Sequence, residues 1–294
     1  MSINTRCSAT THESLPGTAK TGGVFVLLEH LHGWGRDVLD GDAFGSDLTA
    51  DIKAHLKKTD SQLQLIRKPG RSAGHQLHRR LYIVFCELGV IETLLVESPA
   101  AILRLDLTGP GRNRAELVEH PIALVCTHGK RDMCCALKGR PVAAAMQTCF
   151  FGNEIWESSH TKGHRFAPSM LLFPWGYSYG RLNAPAAIDM LKHATLGEMF
   201  LPGNRGRGVF DAPGQVAELA VAKLLLDASE PLSPGTLMVV ADGEFARIVG
   251  HPDGRKWRVM LEKQHIEEII ASCGDDPKPG SSWVAVGIEQ LRQH

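Results

Sequence analysis

Two cysteines and two histidines in a 39-residue window constrain this chain more than any other feature: Cys126-x8-Cys135, then, after 24 intervening residues, His160-x3-His164. Thiolate and imidazole together form a soft-to-borderline donor set that suits zinc or an iron–sulfur cluster and suits magnesium or calcium poorly. A fold that uses all four must bring two separate loops to one point.

The spacing excludes the commonest alternatives. Zinc fingers hold their cysteines two to four residues apart so that one tight turn delivers both sulfurs to a single ion. Here the loop Thr127-His128-Gly129-Lys130-Arg131-Asp132-Met133-Cys134 separates them and can wrap a wider object. The histidines have the i, i+4 interval of a zinc protease helix, but Thr161 stands where that chemistry needs a glutamate base, and Gly163 weakens a helix there. Two cysteines and two histidines on separate loops suit a [2Fe–2S] rhomb, in which each iron takes two protein ligands, as in Rieske centres. Taken one at a time, the four residues read equally well as small buried hydrophobes and polar loop residues. Four suitable donors in two pairs weaken that plainer reading.

At these residues the sequence resembles a known family. Cys126-Thr127-His128-Gly129-Lys130-Arg131-Asp132-Met133-Cys134-Cys135, Gly139-Arg140-Pro141, the run from Trp156-Glu157-Ser158-Ser159-His160 through Thr161-Lys162-Gly163-His164-Arg165-Phe166-Ala167-Pro168, and Tyr179-Gly180-Arg181-Leu182 are similar to the sucrase/ferredoxin-like family of thioredoxin-like ferredoxins. Cys7, Gly17-Thr18-Ala19 and Trp34-Gly35 look like its bacterial members. The resemblance implies a C-terminal thioredoxin-like domain carrying a [2Fe–2S] cluster, with Cys126 and Cys135 on one iron and His160 and His164 on the other. One departure is visible: the residue before Gly163, often glycine in the family, is Lys162. No paired-carboxylate arrangement argues for glycoside hydrolysis.

Composition bounds the remainder. At 294 residues and 43% hydrophobic, the chain is long enough for about two domains with real cores. Its 32 basic and 32 acidic residues cancel, so no overall field favours nucleic acid or an anionic membrane. The N-terminus lacks the apolar core of a secretion signal, and no apolar run approaches the ~20 residues of a membrane helix, so a cytoplasmic protein is expected. Seven cysteines, an odd number with two adjacent, look more like reduced thiols and cluster ligands than a disulfide framework.

Along the chain, strand-like runs at 22–29, 62–66, 80–86 and 93–96 and a helix over 43–58 make a strand, helix, strand, strand order, which is what a thioredoxin-like unit produces. A second unit opens with a strand at 122–125 that ends on Cys126. A helix over 136–146 opened by Cys135 follows, then a strand at 154–157, a hairpin around Pro174-Trp175-Gly176-Tyr177 and a helix at 184–193 begun by Pro185. Both units run strand, helix, strand, hairpin over about 100 residues, the pattern of an internal duplication. Residues 200–211 read as a loop, 212–226 as a helix, and runs at 236–241, 245–249 and 256–261 as a β-meander before a helix near 265–272.

The expected fold is therefore α/β, with two thioredoxin-like units in tandem and a small C-terminal α/β extension. Its expected divisions are an N-terminal segment (1–21), a domain without a cluster (22–118), a thioredoxin-like ferredoxin domain (119–228) and the extension (229–294).

His128, Arg131 and Asp132 lie in the cysteine loop, where they could tune a cluster or close a turn; Arg165 could be a donor or a docking charge. Adjacent residues at a helix start point about 100° apart, so only one of Cys134 and Cys135 should face a cluster. Cys86, Cys149 and Cys273 read as core or surface residues without chemistry. Two function classes result. One is an electron carrier with Cys2His2 ligation, possible proton coupling and a redox partner protein, with no nucleic acid or membrane. The other is a zinc-stabilised interaction module using the same four ligands. A dithiol oxidoreductase is disfavoured because the chain has no Cys-x-x-Cys.

Overall fold

The computed structural model describes residues 6–10, 13–70 and 77–292. Part of the expected N-terminal segment, residues 1–5 and 11–12, lies outside the described residues. Among those described, no helix is long and apolar enough to cross a membrane.

Strands whose every position is apolar belong in the middle of a sheet, covered on both faces. Ile122–Cys126 (β6) is such a run, Val24–Glu29 (β1) is one up to its last residue, and each lies inside its half of the sheet with a neighbour on both sides. After the short helix α1 (Cys7–Thr10), the first half comprises β1, α2 (Ser46–Lys58), β2 (Ser61–Arg67), β3 (Arg79–Phe85), β4 (Val90–Val96) and the short edge strand β5 (Glu116–Leu117). In the second half β6 is followed by α3 (Met133–Gln147), β7 (Ile155–Ser158), β8 (Ser169–Phe173), β9 (Tyr177–Gly180), α4 (Ala184–Thr195) and β10 (Asn204–Arg207). In each half the first strand pairs in parallel with the second and antiparallel with the third, which pairs antiparallel with the fourth. This repeated order is consistent with a thioredoxin-like α/β fold.

The halves meet edge to edge where β2 pairs antiparallel with β7 through Ile66↔Ser158 and Arg67↔Glu157, giving one ten-stranded sheet, β10-β9-β8-β6-β7-β2-β1-β3-β4-β5. In a flat sheet β1 and β8, four strands apart, would be separated by roughly 19 Å. Yet the rings of Phe25 on β1 and Phe173 on β8 are 5.0 Å apart, and those of Tyr82 on β3 and Trp156 on β7 are 5.9 Å apart. The sheet therefore folds over at the β2/β7 seam, and the two half-sheets pack face to face around Leu27, Val84, Leu124 and Leu171. Their outer faces are covered by α2 on one side and by α3, α4 and α5 (Ala212–Asp227) on the other.

The loop expected at 200–211 contains β10, an edge strand paired with β9. The C-terminal extension departs from expectation. Residues 229–292 hold four strands, β11 (Met238–Ala241), β12 (Ala246–Gly250), β13 (Lys256–Ile269) and β14 (Lys278–Gln290), in one antiparallel sheet against α5. The helix expected near 265–272 is instead the far part of β13 and the turn after it. Its backbone pairs with β14 as far as Ile269↔Lys278, and the β-branched Ile266, Ile269 and Ile270 suit a strand better than a helix. The extension is thus all-β among the described residues; α5, which precedes it, is the helix packed against it.

Candidate metal centre

The strand β6 delivers Cys126 at its C-terminal end, fully buried. Asp132 then caps α3, its carboxylate accepting from the Cys134 backbone N–H at 2.8 Å. The helix begins at Met133, so Cys135 sits within its first turn rather than opening it. Where α3 crosses the end of β6, Gly139 lies against the Cys126 carbonyl, leaving no room for a side chain. That close approach brings Cys135 to Cys126.

The histidine loop leaves β7 at the seam. The Ser159 N–H donates to the Leu65 carbonyl, and the His160 N–H donates to His128 Nδ1 at 3.1 Å. Nε2 of His128 faces the Gly35 carbonyl at 2.6 Å, so the two partners fix a neutral ring with its proton on Nε2. Burial, the main cause, lowers the pKa of His128 and agrees with that neutral form. The Trp34 ring packs edge-on against it, 5.6 Å between centroids. The chain next turns through two left-handed residues, Lys162 (φ 60°) and Gly163 (φ 80°), which explains why glycine suits the position of Lys162. Beneath them lies the buried guanidinium of Arg205, bonded to Thr18 Oγ1 (3.0 Å), Ser169 Oγ (3.2 Å) and the Lys162 carbonyl (3.3 Å). A Cβ on Gly163 would strike that guanidinium.

The two loops meet. Ligand atoms of Cys126, Cys135 and His160 lie within 4.8 Å of one another, with Cys126 Sγ 3.9 Å from His160 Nδ1. His164 stands outside that group and contacts it through His160, its Nδ1 3.4 Å from His160 Nε2. Its own Nε2 is 2.8 Å from Ser272 Oγ, leaving Nδ1 as the nitrogen that faces the site. The cysteine end is buried and His160 is partly exposed. Cys126 is driven toward thiolate by a hydrogen bond from Cys135 and by His160, whereas the same thiolate, together with burial, pushes the Cys135 thiol far up. The pair accepts one negative charge readily and a second only alongside a cation. That is a fit for a metal ion or cluster at the thiolate end.

The other polar candidates fall in different places. Arg131 is exposed and borders a cleft of about 680 Å³ whose wall includes the buried His128 and His164 and the partly exposed His160. Arg165 stacks on Phe166 and forms a two-pronged ion pair with Glu13, tying down the N-terminal segment. The carboxylate of Asp132 belongs to a different group of donors from Cys126. It accepts from the Cys273 N–H at 2.9 Å and lies 3.8 Å from His164 Nε2. Burial opposes its ionisation, but the Cys273 and Cys134 N–H groups outweigh burial and hold its carboxyl below the usual range.

Cys134 points away from Cys135, as the 100° offset requires, into a second group with Cys7, Asp132 and Cys273. Cys273, read from sequence as without chemistry, therefore stands in a cluster of donors. Ser272, Cys273 and Arg205 carried no local signal, because each reaches the site from a distant part of the chain.

The family model described as sucrase/ferredoxin-like matches residues 15–206, from before β1 to β10, leaving α5 and the four-stranded sheet outside. No curated protein and no solved structure matches the chain. A match over well over half of the chain, enclosing both the cysteine and the histidine loop, means that this protein belongs to the sucrase/ferredoxin-like family.

Proposed function

We propose that the protein is an electron carrier holding one [2Fe–2S] cluster, with Cys126 and Cys135 on one iron and His160 and His164 on the other. The observation that carries this reading is that two contacting pairs of donors adjoin: Cys126 and Cys135 are hydrogen-bonded at the buried end, and His160, 3.4 Å from His164, stands beside them on the outer side. A single tetrahedral zinc ion would ask all four atoms to surround one point. Two irons ask only for two adjoining pairs.

When bound, such a cluster supplies reversible one-electron exchange. The chain's residues do the rest. His128 holds the His160 backbone through its neutral Nδ1, and Ser272 fixes the outer nitrogen of His164, an orienting contact of the kind that metal-bound histidines use. Unlike a thiolate ligand, an imidazole can carry a proton of its own, which would let the histidine end take up a proton with the electron. The buried cysteine end excludes solvent, so electrons would enter through the histidines at the cleft.

That cleft is lined by Lys20, Arg36, Lys53, Lys57, Arg131 and Lys162 against a single acid, Asp37. This supports a redox partner protein with an acidic docking face. Seven free cysteines support a reducing, cytoplasmic setting.

Anaerobically purified, iron-replete protein should be red-brown, with two irons and two sulfides per chain, and should give a rhombic paramagnetic signal after one-electron reduction. Colourless protein with zinc bound by Cys126, Cys135, His160 and His164 would overturn the reading in favour of an interaction module.

A further inference from the structure

The second donor group contains Asp132 and shares no residue with the Cys126 group. Its sulfurs come from three distant segments: Cys7 on α1, Cys134 in the first turn of α3, and Cys273 in the turn between β13 and β14. The three Sγ atoms form a small triangle, Cys7–Cys134 3.7 Å, Cys7–Cys273 3.5 Å and Cys134–Cys273 3.2 Å. The Asp132 carboxylate closes the fourth side, Oδ1 being 3.3 Å from Cys273 Sγ and 3.8 Å from Cys7 Sγ. Cys7, Cys134 and Asp132 are buried, and Ala167 and Ile270 pack around the sulfurs.

We propose that Cys7, Cys134, Cys273 and Asp132 form a closed tetrahedral zinc site, separate from the Cys126/Cys135/His160/His164 centre. Zinc bonds to thiolate sulfur at about 2.3 Å, so two sulfurs on one tetrahedral ion stand about 3.8 Å apart, close to the observed triangle. A disulfide needs about 2.05 Å between sulfurs and would leave one of the three thiols over. Sulfur-rich tetrahedral sets take zinc or iron–sulfur clusters, and sulfurs this close together suit one ion rather than a multinuclear cluster.

The charge of the site points the same way. A buried carboxylate facing three thiols, with His164 Nε2 at 3.8 Å and, among the described residues, no lysine or arginine ion-paired to it, is electron-rich. The backbone N–H groups of Cys134 and Cys273 donate to Asp132, orienting it as outer contacts orient a ligating carboxylate. The site also explains a feature of the architecture. Zinc here would pin the N-terminal segment and the β13–β14 turn to the start of α3, and so hold Ser272 against His164. Most of the stabilisation of such a site is gained as the chain folds around the ion.

The test is metal content read separately from iron. Protein purified without chelator after iron-replete expression with zinc should carry about one zinc per chain beside its iron, and protein stripped of zinc but keeping its iron should take up one equivalent of zinc chloride. Cys273→Ser should cut the bound zinc at least tenfold, while Cys273→His, which keeps a zinc donor, retains it. Cys135→Ser should lose iron and keep zinc.

Circular dichroism of Cys273→Ser separates loss of the ligand from loss of the fold, because the substituted turn is partly exposed. Three outcomes would overturn the proposal: no zinc bound or taken up by the wild type, zinc lost with Cys135→Ser but kept by Cys273→Ser, or a Cys134–Cys273 disulfide in alkylated, unreduced protein.

Discussion

A methyl group at position 139 would stand 2.1 Å from the Cys126 carbonyl oxygen, far inside contact distance and against backbone that cannot turn away. Gly139→Ala must therefore push α3 off the end of β6, and with it Cys135 away from Cys126. A stability loss of roughly 1–3 kcal/mol is expected from overpacking alone, read as a lower urea midpoint, together with weaker iron retention. An unchanged midpoint would show that the crossing is looser than described. The neighbouring thiols should separate cleanly. Cys135→Ser should lose the iron chromophore, whereas Cys134→Ser should keep it and lose zinc, because the two side chains face different donor groups. If Cys134→Ser bleached the protein instead, the ligand would have to be reassigned by one residue.

Helix α5 lies between the folded sheet and the C-terminal sheet, and almost all of its turns are buried. That position explains Glu218. Burial raises its pKa to about 7, although Tyr177 Oη donates to its Oε1 at 2.6 Å and Arg207 favours the charged form. Between about pH 4.5 and 7 the folded chain binds more protons at this group than the unfolded chain does, so its contribution to stability falls as pH rises through that window and stays low above it. Glu218→Gln should therefore be more stable than wild type at pH 8, by roughly 1–3 kcal/mol, with the two converging near pH 4. A difference independent of pH in denaturant titrations would contradict the raised pKa. Burial by distant elements is also what limited the reading of sequence. Apolar runs such as 122–126 announced strands, and the Pro185 start announced α4. The run 265–272, however, has isoleucines at intervals that fit helix or strand, and only pairing with β14 decides between them. Strand β10, an asparagine, a glycine and two arginines, has no apolar period at all, and its edge position beside β9 is a tertiary fact. The Cys126/Cys135 and His160/His164 loops were legible because their donors lie close in sequence. Cys7, Asp132, Cys134 and Cys273 were not, because 139 positions separate Cys134 from Cys273.

Folding the sheet over at the β2/β7 seam sets the first half against the histidine loop, so that Trp34, Gly35 and the lysines of α2 border a site whose ligand candidates all come from the second half. The chain is neutral overall, with 32 basic and 32 acidic residues, yet this one cleft carries six basic side chains and one acid. Long-range attraction for a charged partner should therefore be local to the cleft and should fade as salt shortens the screening length from about 30 Å at 0.01 M to about 8 Å at 0.15 M. Stopped-flow oxidation of the reduced protein by ferricyanide, an anion, should slow about tenfold over that range. A cationic oxidant such as hexaammineruthenium should be unaffected or accelerated, because salt then screens repulsion. Lys53→Glu combined with Lys57→Glu changes two exposed positions on α2 without touching any donor. That pair should flatten the ferricyanide response while leaving the visible spectrum intact. If both oxidants showed the same salt dependence, electrons would not be entering through the basic cleft, and the docking face would have to lie elsewhere on the molecule.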